Sequence, residues 1–403
     1  MSNNDTIPEF LKSFGVEIEF LYPTQNKMAG CSAIKQVGAY ITYDASAETQ
    51  TQVCRETGLT LIESPYILSK SNGEKLGGEI VTGIWNFRLG TPAILTRLGM
   101  ITSALINNGE PSKSTRGGIH FHIAFTNELD SLKRAVLLGG YLEKTFFTLG
   151  GMGYEHRGMS SDSIYYRPIT RSGPIVVPVP GGWAQNFTIE QLVGANSLNE
   201  FFIRYGDALT WAGTKYPIPR YHWLNLVNLV VPRKTIEFRV FNITHDANKI
   251  LSVLLFCKAF AEFCVNTPWK NFLSLGFDQE NSVFDNIPIV KTLERTEKFL
   301  NLTDIPIRNK DTLIDMICST PQPILEERFV RSHLHDRHSV PVHWEYGNYE
   351  PEKISTSKIC HPKYEDFYTR GGRNTSSLGG PTRGVRVFDN FSELRRASVS
   401  SRR

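Results

Sequence analysis

In Ile119-His120-Phe121-His122-Ile123, ionisable residues two apart are each flanked by apolar ones. The same device occurs in Val16-Glu17-Ile18-Glu19-Phe20 and in Ile236-Glu237-Phe238-Arg239-Val240. On a β-strand successive side chains point to opposite faces, so each segment buries one apolar face and presents its two polar groups together on the other.

Solvated sheet faces usually mix Lys, Thr, Ser and Gln, whereas here the set is three glutamates, two histidines and one arginine. Hard oxygen ligands, imidazoles and a planar binder of phosphate or carboxylate form the kit of a divalent-metal phosphoryl-transfer site. The competing reading is a solvated face, since any half-buried strand alternates. The recurrence in three segments weighs against it.

Working outward, the 403 residues allow two domains or one large α+β unit, and 40% hydrophobic content with 24 Phe, 15 Tyr and 6 Trp is ample for a core. The excess of 44 Lys and Arg over 40 Asp and Glu sits entirely in residues 351–403, so no nucleic-acid groove through the body is indicated. Six dispersed cysteines without a C-x-x-C pair suit a reducing compartment, and Cys257 and Cys264 read as buried small hydrophobes. Met1 to Phe10 lacks an apolar signal core, and no stretch approaches 18 uninterrupted apolar residues. The expectation is a soluble, cytoplasmic protein with no membrane partner.

Cys31 to Leu61 reads as further strands and turns, and the Gly77-Gly78 pair leads into Glu79-Ile80-Val81-Thr82, which places another carboxylate at the mouth of a short strand. The spacing predicts an amphipathic helix over Thr91–Asn108 with a glycine stop, and a second from Ser131 to about Leu149 with Asp130 as N-cap. Residues 168–183 read as an extended loop, helical periodicity resumes from Thr188 to Trp211, and the pattern turns β-like at Trp223–Val231 and Thr235–Ile243. A long apolar helix follows over Ala247–Val265. The expected organisation is a catalytic unit over 1–268, an α-rich extension over 269–350 and a basic Ser/Gly/Arg-rich disordered tail over 351–403.

The ordered set of Gly15-Val-Glu-Ile-Glu-Phe20, Gly78-Glu-Ile-Val-Thr82, Gly117-Gly-Ile-His-Phe-His122, Arg220-Tyr-His-Trp-Leu-Asn225 and Thr235-Ile-Glu-Phe-Arg-Val-Phe241 resembles the amidoligase family. That family belongs to the carboxylate–amine ligases, whose members share a fold with glutamine synthetase and glutamate–cysteine ligase. The resemblance implies an α+β fold with a curved antiparallel sheet, a half-barrel of glutamine synthetase-like type, whose concave face holds divalent ions and ATP. It further implies that ATP phosphorylates a substrate carboxylate and that an amine attacks the acyl phosphate to form an amide.

Carried over by motif, Glu17, Glu19, Glu79, His120 and Glu237 are expected as metal ligands for Mg²⁺ or Mn²⁺, with Glu237 and Arg239 as the catalytic pair and Arg239 on the phosphate or acyl phosphate. His122, Arg220 and Asn225 are expected as substrate or nucleotide contacts. His122 also fits a group behind the ligands or a satisfied structural histidine, and Arg220 a surface arginine after Pro217 and Pro219. The His333, His335, His338 and His343 patch lacks cysteines at zinc spacing and reads as a solvated surface, while Gly150-Gly-Met-Gly153 reads as a helix terminus.

The leading expectation is therefore an ATP- and Mg²⁺-dependent ligase joining a carboxylate to an amine on an amino acid, peptide or protein. A metal-dependent hydrolase using the same Glu/His cluster is the alternative enzyme, and a non-catalytic protein on a degenerate ligase fold the alternative outside enzymes. ATP separates the two enzyme classes, because a hydrolase has no need of it.

Overall fold

The strands form where β-branched and aromatic residues alternate with polar ones, and a computed structural model describes residues 9–21, 32–42, 77–107, 118–152, 169, 175–179, 182–184, 188–206, 222–229, 234–278 and 289–320. The main sheet is assembled from β1 (Ser13–Leu21), β2 (Tyr40–Thr42), β3 (Gly77–Val81), β4 (Trp85–Asn86), β5 (Gly118–Ala124), β8 (Leu224–Asn225) and β9 (Thr235–Asn242). Its order is β2-β3-β1-β5-β9-β8, with β4 paired to the start of β1, and every pairing is antiparallel. Among the described residues the sheet is open, with β2 and β8 at its edges. A separate hairpin of β6 (Ile175–Val179) and β7 (Gly182–Ala184) occupies part of the stretch expected to be an extended loop, where Ile175, Val176 and Val177 favour a strand.

The helices are α1 (Ser32–Gln36), α2 (Thr91–Asn107), α3 (Leu129–Leu149), α4 (Ile189–Val193), α5 (Leu198–Gly206), α6 (Ala247–Asn266), α7 (Trp269–Ser274), α8 (Ile289–Leu300) and α9 (Ile307–Ser319). α3 begins two residues before the expected start: Glu128, not Asp130, is the N-cap, and it makes no side-chain cap bond. Asp130 instead lies in the first turn, where its charge favours the positive end of the helix dipole. The helical pattern from Thr188 divides into α4 and α5 at Gly194. The β-like run from Trp223 yields only β8, because the Asn225 side chain accepts a bond from Val227 N at 2.9 Å and turns the chain into a short 3-10 helix.

The apolar face of the sheet carries Val16 and Ile18 of β1, Ile80 of β3, Ile119, Phe121 and Ile123 of β5, and Ile236 and Phe238 of β9, all fully buried. Helices α3 and α6 pack on this side, with α2 against α6. Phe146 of α3 is the hub, stacking on Trp223 at 4.3 Å and Phe238 at 5.4 Å and meeting Phe256 and Phe260 of α6 at 5.1 and 5.7 Å.

One step breaks the simple alternation. Phe238 pairs with Phe121 but Phe241 pairs with Ile119, so β9 holds one residue more than β5 across this interval. This bulge returns Phe241 to the apolar side, 5.3 Å from Phe121, while Glu237 and Arg239 stay together on the other. Beyond residue 268 the core continues: Phe299 of α8 meets Phe256 at 5.4 Å, Thr296 meets Thr145 of α3 at 2.8 Å, and Asn309 of α9 donates to Ser252 of α6 at 2.9 Å. No helix among the described residues is long and apolar enough to cross a membrane.

Candidate metal and phosphate site

Register brings the three alternating segments together. In β1 and β5, Glu17 faces His120 and Gly15 faces His122; in β5 and β9, His122 faces Glu237. Because the residue opposite His122 has no side chain, the imidazole leans along the diagonal and its Nε2 lies 3.1 Å from Glu17 Oε2. The same nitrogen is 4.0 Å from Glu237 Oε1. Ligand atoms of Glu17, His122 and Glu237 all fall within 4.8 Å of one another.

His120 joins this group differently. Its Nδ1 lies 3.6 Å from both Glu17 Oε2 and Glu237 Oε1, while its Nε2 faces Glu19 Oε1 at 3.9 Å. Glu19 also accepts a bond from Gly118 N at 2.9 Å. A Cβ on Gly118 would crowd Phe241 O at 3.1 Å and would reach only ordinary contact with His120 Nε2 and Glu19 Oε2, at 3.4 and 3.7 Å. Glu79 lies directly across from Glu19 in the register of β1 and β3 but outside the ligand-spaced trio.

Glu237 is 3% exposed and held on both oxygens. Asn225 and Asn228 donate their side-chain amides to Oε2 at 2.6 and 3.0 Å, and Arg239 pairs with Oε1, the oxygen that faces the imidazoles. The Arg239 backbone N–H in turn donates to Trp223 O at 2.9 Å. Asn225, expected against substrate or nucleotide, has its amide on this carboxylate and its oxygen on Val227 N. Arg220 and the histidine patch at 333–343 lie outside the described residues, as does the tail after 350.

A solvated face does not describe this surface. His120, His122, Glu19 and Arg239 are each less than a tenth exposed, and the Glu17 side chain keeps 19%. Burial works to raise the Glu17 carboxyl, but the charges and hydrogen bonds of His122 and His120 together hold it well below the usual carboxylate range. Burial likewise opposes ionisation of Glu237, and Arg239, then His122 and His120, outweigh it and the repulsion from Glu17, pushing the carboxyl down to about 2. In both carboxyls the neighbouring charges therefore favour the ionised form.

Two oxygen donors and an imidazole within one ion's reach fit a divalent cation, since such ions sit roughly 2.0–2.3 Å from carboxylate oxygen and imidazole nitrogen. His122, expected as a contact behind the ligands or to substrate, is the imidazole in that trio, and the expected ligand His120 stands beside it. The motif reading did not reach Asn228. Its signal is faint: a second amide three residues after Asn225, on the same turn.

Residues 191–261, which run from α4 through β8 and β9 into α6 and contain Asn225, Asn228, Glu237 and Arg239, match the family model described as "putative amidoligase enzyme". The match supports an amidoligase assignment and a ligase activity. No curated protein matches the chain.

Glu237 leads to a pH prediction. Because its folded value of about 2 lies below its ordinary 4.5, the stability it contributes is fully present above 4.5 and is lost as pH falls toward 2. Urea unfolding of the metal-free protein between pH 5 and roughly 2.5 should therefore lose stability more steeply in the parent than in Glu237→Gln. Equal slopes would mean that the carboxylate is not held ionised by its neighbours.

Proposed function

With the strand of Glu237 and Arg239 inside the amidoligase match, we propose that the chain is an ATP-dependent carboxylate–amine ligase requiring Mg²⁺ or Mn²⁺. The observation that carries this reading is the convergence of Glu17, His122 and Glu237 beside Arg239 on three neighbouring strands. In this reading the sheet is of the glutamine synthetase-like type and the substrates are an amino acid, peptide or protein carboxylate and an amine.

The substrate carboxylate takes the terminal phosphoryl group of ATP, releasing ADP, and the amine then displaces phosphate from the acyl phosphate to leave an amide. A divalent ion, when bound, supplies positive charge against the triphosphate oxygens. Glu17, His122 and Glu237 would hold it, with Glu19, Glu79 and His120 lining the adjoining part of the face.

Arg239 is the protein's own cation at this position. Its guanidinium fork suits two oxygens of one phosphoryl or carboxylate group, and its anchorage to Glu237 fixes it before substrate arrives, so little reorganisation is needed as charge develops. Asn225 and Asn228 hold Glu237 so that Oε1 turns toward the imidazoles. Burial of the histidines limits access of water, which would otherwise hydrolyse an acyl phosphate.

Changing Glu17 and Glu19 together to Gln keeps side-chain size and strand pattern while removing two charges. The thermal midpoint of the parent should rise with Mg·ATP and that of the double variant should not. An equal rise in both would detach these glutamates from the site, and a rise with Mg²⁺ alone that ATP does not extend would favour the hydrolase. Once a substrate pair is found by ADP release, Arg239→Lys should lower turnover roughly a hundred- to a thousandfold, about 3–4 kcal/mol, with metal affinity little changed. Near-normal turnover would demote Arg239 to a structural residue.

A further inference from the structure

Glu143 is a fully buried carboxylate in the middle of α3, outside every motif that points to the site. A buried charge needs partners, and one oxygen, Oε2, accepts from both Ile169 N at 2.6 Å and the Trp223 indole N–H at 3.0 Å. The same face of α3 approaches these neighbours closely one turn earlier. A Cβ on Gly139 would stand 2.8 Å from Ile169 Cδ1, 3.1 Å from Leu224 Cδ2 and 3.6 Å from Trp223 Cζ2. One turn later, Phe146 stacks on the Trp223 ring at 4.3 Å.

Trp223 is where this contact reaches the site. Its carbonyl accepts the Arg239 N–H at 2.9 Å, and the two residues after it, Leu224 and Asn225, pair with Phe238 and Glu237. Asn225 then grips Glu237 Oε2 at 2.6 Å. β8 is only two residues long and, among the described residues, pairs with β9 alone, so its own ladder cannot set its place firmly.

We propose that Glu143 is a positioning residue: through the Trp223 indole it seats β8 so that Asn225 and the Trp223 carbonyl hold Glu237 and Arg239 in place. An apolar residue of the same size would fill the space but leave the indole and the Ile169 N–H without this acceptor. A glutamine would keep one. The difference between those two replacements therefore reports the hydrogen bonds and not the charge or the volume.

The test uses the full chain with Glu143→Met and Glu143→Gln, reading amide hydrogen exchange without metal and the affinity for Mn²⁺. Glu143→Met should speed exchange across 222–229 and at Arg239 at least tenfold, leave α6 at the parent rate and weaken Mn²⁺ binding by roughly tenfold. Glu143→Gln should stay near the parent in both. Should Glu143→Met fail to fold, Trp223→Phe removes the donor while keeping a ring on Phe146, and the same exchange pattern is expected of it.

Unchanged exchange over 222–229, a uniform rise that includes α6, or a glutamine variant no better than methionine would overturn the proposal. The affinity arm rests on the metal site proposed above, whereas the exchange arm does not. A parent that binds no Mn²⁺ would count against that site, and the exchange result would still decide the role of Glu143.

Discussion

Val16, Ile18, Ile119, Phe121, Ile123, Ile236 and Phe238 are fully buried on one side of β1, β5 and β9, and a slip of one residue in any of these strands would turn its apolar set toward the polar side. That cost locks the register. With the register locked, Glu17 must face His120 and His122 must face Glu237, so the site is a consequence of how the opposite face packs. Phe146 reinforces it by touching Trp223 of the β8 approach and Phe238 of β9 at once.

The neighbours of Glu237 stabilise its ionised form, yet burying the polar face has a cost. Burying carboxylates, imidazoles and a guanidinium together costs desolvation that well-packed apolar residues would avoid, and such replacements are often neutral or stabilising. What the cluster supplies is preorganisation. Glu237 meets Arg239 and two amides before any ligand arrives, and its carboxyl is held down to about 2. Glu17 is held ionised by the two imidazoles in the same way.

Much of this was legible in the chain because strand alternation is a strong local signal. The five segments that form β1, β3, β5, β9 and α6 follow from apolar spacing, and the grouping of Glu17, Glu19, His120, His122, Glu237 and Arg239 on one face follows from parity. The bulge in β9 was not legible, since the extra residue is defined only against Phe121 and Ile119 on the partner strand. The prominence of His122 in the trio depends on its diagonal approach to Glu17 past Gly15, a contact between strands that spacing along one strand does not reveal. Glu143 and Asn228 were missed for a related reason. Each acts through a tertiary partner, Trp223 in one case and Glu237 in the other.

The central claim is that Glu17, His122 and Glu237 together hold a divalent cation. Crystals of the full chain soaked in Mn²⁺ and measured for anomalous scattering test it most directly. A difference peak among the side chains of Glu17, His122 and Glu237, within coordination distance of all three, roughly 2.0–2.3 Å, is the expected result. A well-diffracting crystal with Mn²⁺ bound elsewhere and no peak among these three side chains would contradict the claim.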